Sequence, residues 1–102
     1  MMIHKDDVRS TLRAWDPETT GEAIDSLYER MEDEWQEGVF RLITKAEKAF
    51  KKKTGHPMDG MTRMRIIPQA KQVARDLVYG EYLEPINQAI AERNAAREFD
   101  EE

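Results

Sequence analysis

His4 and His56 are the only histidines of this sequence, and they lie half the chain apart. There is no cysteine and no HxxxH or HExxH spacing, so a metal centre would need long-range assembly with carboxylates. Glu29 and Asp33, and Glu34 and Glu37, are spaced one helical turn apart, as a pair of acid–base carboxylates could be. Such a pair needs an apolar pocket that splits the two pKa values, and a run of acids on a polar helix is instead a solvated face. Gly55 and Gly60 do not sit between a strand and a helix, so they form no phosphate loop, and no serine nucleophile motif is present. No enzyme, cofactor or metal is expected.

Binding chemistry is better represented. Residues 41–75 carry 10 basic and 2 acidic side chains, against 4 and 11 in residues 1–40 and 2 and 8 in residues 76–102. Lys51, Lys52, Lys53, Arg63, Arg65, Lys71 and Arg75 form the basic set that a phosphate backbone would contact. The acids around Tyr28 and Trp35 permit the converse, a carboxylate face entering a basic channel. Within the basic region lies HPMDGMTRMRIIPQ, residues 56–69, with three of the six methionines and two of the four prolines. Methionine suits adaptable binding surfaces. Met58, Met61, Met64, Arg65, Ile66, Ile67 and Pro68, with Trp35, are therefore the candidate partner-binding residues. The Ile67–Pro68 bond, in a flexible segment, could exchange between cis and trans and engage a host prolyl isomerase.

The elements that would position these residues are helical. Val8, Leu12 and Trp15 predict a helix over residues 4–15, stopped by Asp16-Pro17. Apolar spacing from Ile24 to Phe50 predicts one long helix over 21–53, acidic in its first half and basic in its second, as the macrodipole favours, with Gly38 marking a close crossing or bend. Residues 54–67 read as a loop. Pro68 would open a third helix over 68–98 with Val73, Ala74, Leu77 and Val78 on its buried face, broken near 80–85 by Gly80 and Pro85. Residues 99–102 should fray.

The chain of 102 residues reads as a single all-α domain. A chain this short buries about 60–65% of its unfolded surface. With 39% hydrophobic and 36% charged residues, its core is thin and a partner or a second copy would supply missing burial. The absence of cysteine and of a long apolar run points to the cytoplasm and away from a membrane.

Taken together, the acidic, tryptophan-bearing helix YERMEDEWQEGVFRLITKAEKAFKKK, the proline-bounded methionine segment and the helical last third resemble the anti-RecBCD recombination proteins of lambdoid temperate phages. The resemblance implies a non-catalytic protein of the host cytoplasm. Such a protein binds the RecBCD helicase–nuclease, notably through RecC, and alters its action on phage DNA ends in favour of recombination. No residue role is carried over from it. The alternative reading from the residues is a direct nucleic-acid-binding accessory protein using region 41–75.

Overall fold

The computed structural model describes residues 3–100, which form an all-α protein of four helices: α1 (Lys5–Trp15), α2 (Gly21–Thr54), α3 (Gly60–Tyr82) and α4 (Glu84–Asp100). Each boundary has a local cause. Asp6 and Asp7 occupy the first turn of α1, and Thr20 caps α2 by accepting from the Ala23 N–H at 3.2 Å. Gly55 closes α2 in the left-handed region at φ 76°, its N–H donating to the Lys51 carbonyl at 2.8 Å. Asp59 caps α3 by accepting from the Thr62 N–H at 3.3 Å.

α2, about 50 Å long at 1.5 Å per residue, runs antiparallel to α3 and makes the main hairpin of the molecule. They cross closely at Gly38, where a Cβ would stand 3.4 Å from the Cβ of Ala74. α1 packs on α2 and α4, and α4 on α3, all toward one end. The core lies there: Ile3, Val8, Ile24, Met31 and Trp35 meet Ala74, Val78 and Leu83. The rest of the hairpin projects as an arm. The molecule measures 66 × 30 × 15 Å, and its radius of gyration is 18.7 Å, against about 13 Å for a compact chain of this length.

Two expectations need correction. The segment read as a loop over 54–67 is non-helical only at residues 55–59; Met61 to Ile67 are helical and Pro68 lies inside α3. Asp59 provides a cap, Met and Arg are good helix formers, and Ile66 and Ile67 are half-buried, so together these offset the roughly 3 kcal/mol cost of an internal proline. No cis peptide bond occurs among the described residues, so Ile67–Pro68 is trans. Secondly, the buried stripe of α3 is Ala70, Ala74 and Val78, whereas Val73 and Leu77 are exposed. A single neighbouring helix covers only a narrow strip, and the wider apolar face extends past it.

The interruption expected at 80–85 is a one-residue break at Leu83. Phe99 and Asp100 belong to α4, and residues 101–102 of the expected frayed tail lie outside the described residues.

Candidate partner-docking surface

Helical geometry gathers most of the predicted docking residues. Met61, Met64, Arg65 and Pro68 fall at spacings of three, four and seven, which places them on one side of α3. All four are exposed, with Met61 at 69% and Met64 at 74%. Pro68 has no N–H, so the Met64 carbonyl lacks the donor that would normally follow four residues on. The surface thus combines two flexible thioethers, a proline ring, a guanidinium and a carbonyl without its usual helical donor. Ile66 and Ile67 are half-buried, not turned outward. Met58 is half-buried too, in a hollow lined by Thr44, Lys48 and Pro57.

Trp35 does not join this surface. It is 8% exposed and its indole N–H donates to the Lys71 carbonyl at 3.0 Å, which pins α2 to α3. Its amphipathic periodicity in α2 is the signal that marks it as core.

The basic set is only partly convergent. Lys51, Lys52 and Lys53 are exposed near the tip of the arm, but successive helical residues point about 100° apart. Arg63 is turned toward α2 and pairs with Glu47. Arg75 lies 4.6 Å over the Tyr79 ring. Arg65 and Lys71 remain exposed on α3.

Sequence reasoning missed other exposed apolar residues. Phe40 is 74% exposed, on the α2 face that also carries Arg41, Lys45 and Lys48. Leu77 is 63% exposed beside Glu34, Gly38, Arg41 and Glu81. There the charges are unevenly matched. Tyr82 donates to Glu34 at 2.5 Å, which with burial pushes its phenol up to about 12. The Glu34 charge also raises the carboxyl of Glu81. Burial likewise raises the phenols of Tyr28 and Tyr79.

A hollow of about 710 Å³ is lined by residues 36–48 of α2 alone. A depression walled by one helix does not enclose a substrate. Glu32 is buried, and its carboxylate lies beside the Tyr28 phenol, which it helps to raise. No cluster of three or more metal-ligating side chains occurs among the described residues, and none of their helices is long and apolar enough to cross a membrane. No protein-family model, curated protein or solved structure matches the chain.

Proposed function

We propose that this protein is a non-catalytic binding module that docks on a host DNA-processing enzyme and modulates it, the RecBCD helicase–nuclease with its RecC subunit being the specific candidate. The observation that carries the docking part is the surface. The 11.9 kDa chain exposes 7593 Å², about 1,600 Å² more than a compact monomer of that mass. Part of the excess is the methionine–proline side of α3, an apolar patch beside a positive charge, which is the composition of a protein-recognition surface. The choice of RecBCD rests on the whole-chain resemblance.

The test uses the purified full-length chain and purified RecBCD. Capture of RecBCD, together with altered degradation of linear duplex DNA, is the expected result. Met61→Glu with Met64→Glu should weaken both at least about tenfold, since charging a docked apolar centre costs more than 1.4 kcal/mol. Failure of RecBCD capture would overturn the choice of enzyme. Retention of bare DNA that falls steeply with salt and is lost on changing Lys51, Lys52, Lys53 and Arg65 to Glu would establish the nucleic-acid reading instead.

A further inference from the structure

The other side of the hairpin carries a groove that the docking surface on α3 does not use. Glu34, Gly38 and Arg41 of α2 form one wall, and Ala74, Leu77 and Glu81 of α3 the other. Val73 continues the apolar strip one turn before Leu77 and is likewise exposed. Along the arm the protein is a single layer of two helices, with a Cα thickness of 15 Å for the whole molecule, whereas stable helical folds bury their apolar faces in a second layer.

We infer that this face is the interface of a homodimer in which two hairpins pack face to face, related by a twofold axis across the Gly38–Ala74 crossing. The pattern of residues is self-complementary about that point. Glu34 precedes Gly38 by four residues and Arg41 follows it by three, so an antiparallel copy sets Arg41 against Glu34 in both directions. On α3, Val73 and Leu77 flank residue 75 symmetrically, so Leu77 of each copy meets Val73 of the other. An isologous contact requires this kind of reciprocity.

Gly38 and Ala74 keep the middle of the groove low, which lets the opposing Leu77 side chains approach. Glu34 and Glu81 stand together as like charges within one chain, and the incoming guanidinium neutralises that pair. Arg30 and Lys45, which the same operation aligns, are exposed and long enough to turn to solvent. A standard interface of roughly 800 Å² per partner would take about a tenth of the 7593 Å² that the chain exposes.

The experiment is sedimentation equilibrium of the full chain over a concentration series. The expected mass is twice 11.9 kDa. Leu77→Glu should raise the dimer dissociation constant at least about tenfold while far-ultraviolet circular dichroism stays unchanged, because Leu77 is exposed within one chain. Arg41→Glu should act in the same direction, and Glu34→Arg added to Arg41→Glu should restore association. Met61→Gln with Met64→Gln should leave it intact. A mass of 11.9 kDa at every concentration overturns the inference. So does a dimer that ignores Leu77→Glu, or one that the methionine changes abolish.

Discussion

Pro68→Ala should make this protein more stable. Pro68 lies well past the first turn of α3, where its ring removes one backbone hydrogen bond and abuts the carbonyl four residues earlier. Its side chain is exposed, so alanine forfeits no core packing and restores an N–H donor to the Met64 carbonyl. Helix propensity sets an upper limit of about 3 kcal/mol on the gain. Because α3 has already adapted to the ring, the recoverable share is smaller, about 2 kcal/mol, or a rise in Tm of about 8–16 °C for a domain of this size. Thermal unfolding followed by circular dichroism measures it directly. An unchanged or lowered Tm would refute the reasoning, because it would mean that Pro68 is not helical in solution. The same variant should lose modulation of the bound enzyme if the Met61–Pro68 side docks there, so stability and partner effect should move in opposite directions.

Trp35→Ala removes the side chain that joins α2 to α3 and should cost about 3–5 kcal/mol, comparable to the whole stability of a small domain; the cooperative melt should disappear. Gly55→Ala forces a Cβ into the left-handed region and should lower stability by about 1 kcal/mol, read as a fall of several degrees in Tm. Tyr82 is held protonated to about pH 12 by Glu34 and burial, above the usual 10. A raised folded pKa means its contribution is complete below about pH 10 and is lost as pH rises through about 12. Alkaline absorbance titration should show a tyrosine step near pH 12 that Tyr82→Phe eliminates.

Helix positions are legible here because their signals are local. Asp16-Pro17 stops α1, and Thr54-Gly55 supplies the end of α2. What the sequence hides is which segments meet. Pro68 reads as a helix start because proline is welcome in a first turn, yet Asp59 nine residues earlier is a stronger start once the half-buried Ile66 and Ile67 extend the helix back toward it. Val73 and Leu77 have core spacing, but how much of that face is covered depends on how many helices lie beside α3. The docking candidates show the same division. Met61, Met64, Arg65 and Pro68 are gathered by the helix the sequence reading did not assign, while Trp35 is taken by the core and Arg63 by Glu47.

Arg93 of α4 donates to the carbonyls of Ala14 and Trp15 at 2.8 and 2.6 Å and lies 4.9 Å over the Trp15 ring. These bonds join residues 78 and 79 positions apart. Closing so long a loop directly carries the full entropy of the intervening chain, whereas the α2–α3 hairpin closes through residues 55–59 alone. The order of assembly follows: the hairpin zips first, and only then are α1 and α4 near enough for the guanidinium to reach its two acceptors. Removing Arg93 should consequently leave the refolding rate almost unchanged and accelerate unfolding, the kinetic mark of a bond made after the barrier has been crossed.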